Sequence, residues 1–439
     1  MDKVTVIGAG LAGCEAALAL AKHNIQVDLI DIKPKNFTPA HKNPNFAELV
    51  CSNSLKSQRL ETASGLLKEE MRILDSVVIE AAEATKVPAG DALAVERNSF
   101  SEYISNKIRH NKSINIITKE ITEIPQDTGF YVIATGPLTS NSLAKNIEVF
   151  FGSENLSFFD AAAPIVDGES LDYNKVFWAS RYGRGGADYL NSCLTKAEYE
   201  RFYSELINAE TVKLKDFEQT EFKVFSGCMP IETIAKGGYD SLRFGPLKPV
   251  GILDHNNKEK PFAVVQLRKE NNRGTLFNLV GFQTNLKWNE QKRVFRLIPG
   301  LEEAEFIRYG VMHRNTFINS PRLLDNCFRS REHKNLFFAG QLTGVEGYLE
   351  SAASGLFVGL NLARMLCGKK LQPLEPCSMI GALANYISCE ANANNFQPMN
   401  SNMGILPPLA ERVKNKQERY KQLANLAIDA VKRWRNNEI

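Results

Sequence analysis

Lys3-Val-Thr-Val-Ile-Gly-Ala-Gly-Leu-Ala-Gly13 is an apolar strand pattern running directly into glycines at positions 8, 10 and 13. A small-residue helical run, Cys14 to Lys22, follows, and a second apolar strand, Ile25 to Ile30, ends in Asp31. Strand, glycines, helix, strand and acid in this order form the fingerprint of a dinucleotide site. Gly8 permits the tight turn, Gly10 lets the backbone approach a pyrophosphate, and Gly13 lets the helix lie close on the strand. Ala9, Leu11 and Ala12 fill the turn, whose amides and helix dipole favour phosphate, and Asp31 is placed to accept ribose hydroxyls. A membrane anchor or signal segment is the wrong reading of the same stretch, because Glu15 interrupts the apolar run and no basic segment precedes it.

Two later stretches carry related features. Phe130-Tyr-Val-Ile-Ala-Thr-Gly136 reads as a strand ending at Thr135 and Gly136. Lys334-Asn-Leu-Phe-Phe-Ala-Gly-Gln-Leu-Thr-Gly344 reads as a strand entering a turn at Gly340 and Gly344, with a helix beyond Tyr348. Between them, Phe262-Ala-Val-Val-Gln-Leu and Thr275-Leu-Phe-Asn-Leu-Val suggest strands. These signals predict an α/β chain: a Rossmann-like domain in two parts, 1–195 and 321–439, the second with a C-terminal helix, around an inserted α+β domain at 196–320. A single motif fits NAD as well as FAD, but the three landmarks together resemble the glutathione-reductase-like flavoproteins, which implies FAD. No second G-x-G-x-x-G stands between strand and helix, so NADH or NADPH is expected to reduce the flavin by docking directly on it.

Composition bounds the rest. With 439 residues, 44% of them hydrophobic, the chain is long enough for two or three packed domains. No apolar run is long enough to span a membrane. The eight cysteines form no C-x-x-C pair, which predicts a reducing, cytoplasmic setting and no metal site. A net charge of +3 neither announces nor excludes nucleic acid.

Cys51, in Ala47-Glu-Leu-Val-Cys-Ser-Asn-Ser-Leu55, and Cys228, in Val224-Phe-Ser-Gly-Cys-Met-Pro-Ile-Glu232, each stand between apolar and turn-forming residues. Such a position suits an activated thiolate; it equally suits a small buried hydrophobe. Cys14 and Cys367 lie in helical runs and read as packing.

Several long strings resemble the TrmFO family of folate- and FAD-dependent tRNA (uracil-5-)-methyltransferases. They include Phe46-Ala-Glu-Leu-Val-Cys-Ser-Asn-Ser54, Phe225-Ser-Gly-Cys-Met-Pro-Ile-Glu232, Phe244-Gly-Pro-Leu-Lys-Pro-Val-Gly251, Val311-Met-His-Arg-Asn-Thr-Phe317 and Gly340-Gln-Leu-Thr-Gly-Val-Glu-Gly-Tyr348. The resemblance runs from residue 1 to about 410. Ser226, Asp91 and Lys42 depart from the family's usual residues without removing a thiol or a motif glycine. It implies methylation of uridine C5, with methylenetetrahydrofolate as carbon donor and reduced FAD as carrier and reductant. One thiol, Cys228, adds to uracil C6 while Cys51 serves as acid/base, or the reverse. It further implies that His313, beside Arg314, stacks on the folate and that Tyr348 covers the flavin or the uracil. The RNA is tRNA, or ribosomal RNA in some members; a flavoprotein that binds RNA or shuttles electrons without carbon transfer is the competing class. The mixed run Lys287 to Arg296 and a basic amphipathic helix from Glu411 to Arg435 are candidate RNA surfaces. Oligomeric state is not legible.

Overall fold

The computed structural model describes residues 3–38, 40–152, 156–183, 186–212, 229–252 and 260–437; for 156–161, 313, 314 and 395 it describes the backbone alone. A five-stranded parallel sheet has the order Leu336–Phe338, Phe130–Ile133, Lys3–Ile7, Gln26–Asp31, Ile114–Thr118. Its first strand in chain order ends at Ile7 and its last begins at Leu336, yet both belong to one sheet. The reason is visible in the burial: Val4, Val6, Val132, Ile133, Phe337 and Phe338 are fully buried, and a strand apolar on both faces is stable only between neighbours and under helices.

Two helices that meet at small residues cover this sheet. A Cβ added at Gly355 would lie 2.0 Å from the Ala12 carbonyl oxygen, and one at Gly359 would lie 2.8 Å from that of Ala16. The helices Leu11–Lys22 and Tyr348–Leu366 therefore approach backbone to backbone, locking the two parts of the domain together. The C-terminal helix Lys416–Asn436 lies against Ala63–Ile73. Its stripe Leu423, Ala427, Val431 and Trp434 is buried, and the Trp434 indole N–H donates to the Gln372 carbonyl at 2.8 Å. The apolar face read from the sequence is thus part of the main core.

A second sheet, antiparallel throughout, has the order Val176–Ala179, Tyr189–Leu194, Ala263–Lys269, Leu276–Leu279, Ile165–Asp167, Phe306–Arg308. Leu190, Val265, Leu267, Phe277 and Leu279 from it join Phe202, Leu206, Val294 and Phe295 of covering helices in a separate core. Three of its strands precede residue 196, so the boundary expected there falls inside the sheet. The central strand Ala263–Lys269 is buried almost along its length and needs a partner on each side, which upstream residues supply. The crossing points are the paired strands Leu156–Ala161 and Met312–Phe317, joined at their inner end by a 2.8 Å bond from the Ala162 amide to the Val311 carbonyl. The inserted unit accordingly covers about residues 162–311 instead of 196–320. Among the described residues no helix is long and apolar enough to cross a membrane.

Candidate active site

At the amino end, each glycine has its own surroundings. Gly8 has φ +101°, and a Cβ there would lie 2.5 Å from the Ala134 carbonyl oxygen; one on Gly13 would lie 1.8 Å from the Gly8 carbonyl oxygen. These two serve the turn and the helix–strand contact. Gly10 differs, because a Cβ on it would meet nothing within 4 Å. It is the N-cap of the helix Leu11–Lys22 and offers no side chain to the helix amides. Gly10 borders a cavity of about 750 Å³ lined also by Gly8, Ala9, Asp31, Thr135 and Thr139. A helix start without a side-chain cap, beside such a cavity, suits a phosphate. Asp31 stands next to the turn and accepts from the Ala9 amide at 2.6 Å and the Lys33 amide at 2.8 Å, which fixes its orientation and leaves lone pairs for hydroxyl donors. The residues therefore fit the adenosine and pyrophosphate of FAD.

A second cavity of about 270 Å³ meets the first at Pro137 and Leu138 and is lined by Cys51, Gln341, Glu346, Tyr348 and Glu350, among others. Its half-buried thiol sits on a loop held from both sides. The Tyr348 hydroxyl accepts from the amides of Cys51 at 2.6 Å and Ser52 at 3.3 Å. Burial raises the Tyr348 phenol well above its ordinary value, so the oxygen stays protonated. On the other side, the buried Arg97 guanidinium donates to the carbonyls of Leu49 at 2.7 Å, Val50 at 3.3 Å and Cys51 at 3.4 Å. Glu270 holds Arg97 through bonds of 2.6 and 3.1 Å. Arg268, from the second sheet, donates to Asn53 Oδ1 and Ser52 Oγ, each at 2.8 Å. The starts of two helices, at Arg97 and Tyr348, and one strand of the second sheet, at Arg268, thus hold the Cys51 loop, an arrangement that suits a nucleophile or proton-transfer group at the inner end of the cleft.

The family profile described as glucose inhibited division protein A matches residues 3–370. A protein of Acetivibrio thermocellus named methylenetetrahydrofolate--tRNA-(uracil-5-)-methyltransferase TrmFO is 54% identical over 434 residues, 99% of each chain. One of the same name from Ligilactobacillus salivarius is 55% identical over 433 residues, 99% of this chain and 98% of the relative. This chain belongs to the TrmFO family. The GidA structure of Aquifex aeolicus has a TM-score of 0.68 at 16% identity over 98% of this chain and 74% of that one, and shares the fold.

Against the TrmFO expectations, Gly8, Ala9, Gly10, Asp31 and Thr135 line the first cavity, and Cys51 and Tyr348 line the second. Leu11, Ala12 and Gly13 lie behind the cavity wall as buried packing in the first helical turn. Gly136, Gly340 and Gly344 line neither cavity. All three have positive φ, and Gly344 meets the Phe396 ring, which a Cβ would approach to 2.5 Å. Each stands at a turn that favours glycine, and Gly136 is flanked by Thr135 and Pro137 of the first cavity. His313 and Arg314 lie on the strand Met312–Phe317, opposite Asp160 and Phe159, with their side chains outside the described set. Cys228 lies outside the described residues. Cys14 is packing, as read: its Sγ lies 3.3 Å from the Ala9 carbonyl, and burial pushes its thiol far up. No group able to hold a metal occurs among the described residues.

Arg97, Arg268, Glu270 and Glu350 were not singled out from the sequence. Glu350 is buried; its Oε1 accepts from the Ser401 amide at 3.0 Å and hydroxyl at 2.6 Å, and from Lys56 at 3.3 Å. Arg97 and Glu270 are 173 positions apart in the chain, so no local pattern joins them.

Proposed function

We propose that this chain transfers a one-carbon unit from methylenetetrahydrofolate to C5 of a uridine in tRNA. The observation that carries the proposal is the position of Cys51: a thiol held by Tyr348 and Arg97 where the dinucleotide cleft ends. Electron transport alone has no use for a nucleophile braced in that way.

Uracil C5 is a weak nucleophile until a thiolate adds at C6 and pushes electron density onto C5. FAD, held by Gly10, Asp31 and the helix start, supplies carbon-carrying and hydride chemistry when bound. The protein's own tasks are to present one thiol to C6 and to remove the C5 proton, whose electron pair re-forms the C5–C6 double bond and expels the thiolate from C6. Cys228 and Cys51 divide these tasks, with Cys228 adding to C6 and Cys51 moving the proton, or in the reverse order. His313 and Arg314 belong on the substrate side by the same reading. Reducing equivalents come from NADH or NADPH at the flavin end, since the sequence holds no second dinucleotide fingerprint, and the reaction is assigned to the cytoplasm.

The test follows the carbon. Label from methylenetetrahydrofolate should enter 5-methyluridine in tRNA in the presence of reductant, and label from S-adenosylmethionine should not. Methyl label from S-adenosylmethionine would overturn the proposal. Incubation of Cys51→Ala and Cys228→Ala with 5-fluorouridine RNA then assigns the roles, because loss of the C6 nucleophile abolishes the covalent adduct.

A further inference from the structure

The second sheet ends in an edge strand, Phe306–Arg308, whose pairing with Ile165–Asp167 is irregular: Phe306 stands opposite Val166 and Arg308 opposite Ile165. Two steps on one strand answer one step on the other, so Ile307 is an inserted bulge residue, 56% exposed. A bulge re-aims the side chains that follow it. Phe306 shares the face of Val166, which belongs to the second core. Arg308 is turned to the opposite face, which carries Arg268 and looks toward the loop of Cys51.

The guanidinium of Arg308 lies within electrostatic range of Cys51 and Tyr348, and burial holds it below its ordinary value. It makes no hydrogen bond or ion pair among the described residues. Across Ile165 in the same row stands Asn278, 3% exposed, whose amide nitrogen is buried without an acceptor among the described residues. Two donors on one face of the sheet, on either side of Ile165, thus lack acceptors among the described residues, which suits an acceptor-rich ligand.

The other face of the same edge carries three aromatic rings. Phe306 and Tyr309 stack at 5.5 Å and 6°, and Tyr309 and Trp288 at 5.4 Å and 11°. Trp288 ends the ladder, is 60% exposed, and has Tyr309 on one face only. Most cations at the adjoining helix are already engaged, Lys287 with Glu210, Arg293 with Glu205 and Glu290, and Arg296 with the Ala304 carbonyl, while Lys292 is exposed.

We propose that single-stranded RNA enters the cleft over this sheet edge, a backbone phosphate resting on Arg308 and an unpaired base stacking on the outer face of Trp288. The inference rests on the RNA reading above and deepens it. An exposed aromatic platform on one face of the edge strand and, on the other, a cation without an ion pair among the described residues suit a single strand that crosses the edge; a free carboxylate or phosphate ion has no use for the platform.

The test uses the full chain loaded with FAD, unmodified tRNA followed by fluorescence anisotropy, and the variants Trp288→Ala and Arg308→Gln. Trp288→Ala should weaken tRNA binding by roughly tenfold. Arg308→Gln should weaken it and flatten the dependence of log Kd on log salt by about 0.7, the loss of one single-strand phosphate contact. Flavin absorbance should be unchanged in both. Wild-type affinity and salt slope in both variants would overturn the inference, as would an Arg308→Gln defect confined to methylenetetrahydrofolate binding. A wild-type protein that fails to bind or methylate tRNA would instead strike the proposed function, so the two failures are separable.

Discussion

Replacing Gly10 by valine should empty the flavin site without unfolding the protein. A Cβ at this position meets nothing within 4 Å. The backbone there, φ −74° and ψ −169°, is extended and open to any residue. The apo protein should therefore change in stability by no more than about 1 kcal/mol. The bound pyrophosphate experiences the substitution differently. Valine would occupy the space through which phosphate oxygens reach the amides at the start of the helix Leu11–Lys22. A hydrogen bond to a charged group is worth about 1.5–3 kcal/mol. Losing two gives about 3–6 kcal/mol, or a rise of roughly 10²–10⁴-fold in Kd. Gly13→Ala is the contrasting control, since its Cβ would lie 1.8 Å from the Gly8 carbonyl oxygen and the backbone itself would have to move.

The assay has two readings on each purified variant: flavin absorbance relative to protein after gel filtration, and thermal melting of the FAD-stripped form by circular dichroism. Gly10→Val should be colourless and melt with the stripped wild type. Gly13→Ala should melt well below it. A yellow Gly10→Val with one FAD per chain would refute the assignment of that open space to pyrophosphate. A stripped Gly10→Val that melts far below wild type would show that Gly10 is packing.

Three further outcomes test the frame of the reactive loop. Tyr348→Phe leaves the Cys51 and Ser52 amides without their acceptor, at about 1–3 kcal/mol; the loop should loosen, Cys51 should react faster with iodoacetamide, and methylation should fall with FAD still bound. Glu270→Gln strips a buried guanidinium of its carboxylate and should destabilise by about 3–5 kcal/mol, read as a lowered melting temperature; an unchanged melt would show that the carbonyls of Leu49 and Val50 suffice. Lys68 is buried, donates to the carbonyls of Leu55 at 2.7 Å and Ser64 at 3.0 Å, and is pulled by burial down to about 7. Between pH 7 and its unfolded value the unfolded chain holds the extra proton, so Lys68 should make stability rise with pH by up to about 1.4 kcal/mol per unit. The difference in unfolding free energy between wild type and Lys68→Met should grow accordingly from pH 7 to 9, and a flat difference would contradict the assignment.

The parallel sheet and its cradle were legible because their signals are local. Gly8, Gly10, Gly13 and Asp31 lie within 24 residues of one another, and strand period, glycine and helix each read from neighbours along the chain. The three glycines even have distinct surroundings in the fold, as their separate roles require. Gly340 and Gly344 illustrate the limit of that reading: the turn was visible, but whether it touches the cleft or Phe396 depends on residues more than 50 positions away. The insertion was misplaced for a related reason. Only the strands at 262–280 alternate clearly, while Ile165–Asp167 and Val176–Ala179 are short and show their sheet membership only through their partners.

The inner end of the cleft was the least legible because its logic is entirely long-range. Cys51 stood out through its family string, whereas the groups that make it a positioned thiol come from three other places: Arg97, the pair Arg268 and Glu270, and Tyr348. Buried charges are costly unless paired, so each of these side chains constrains the others. Arg97 needs Glu270, Arg268 is held against Asn53, and both restrict the second sheet to one seat on the flavin domain. That interlock explains why a domain inserted in the middle of a dinucleotide-binding fold belongs to the catalytic unit. If the insertion only added an RNA surface, its contact with the flavin domain would not require buried arginines at the thiol loop. Because it does, RNA held at the edge strand Phe306–Arg308 and the thiol at Cys51 share one rigid frame, and a perturbation of Glu270 should reach both.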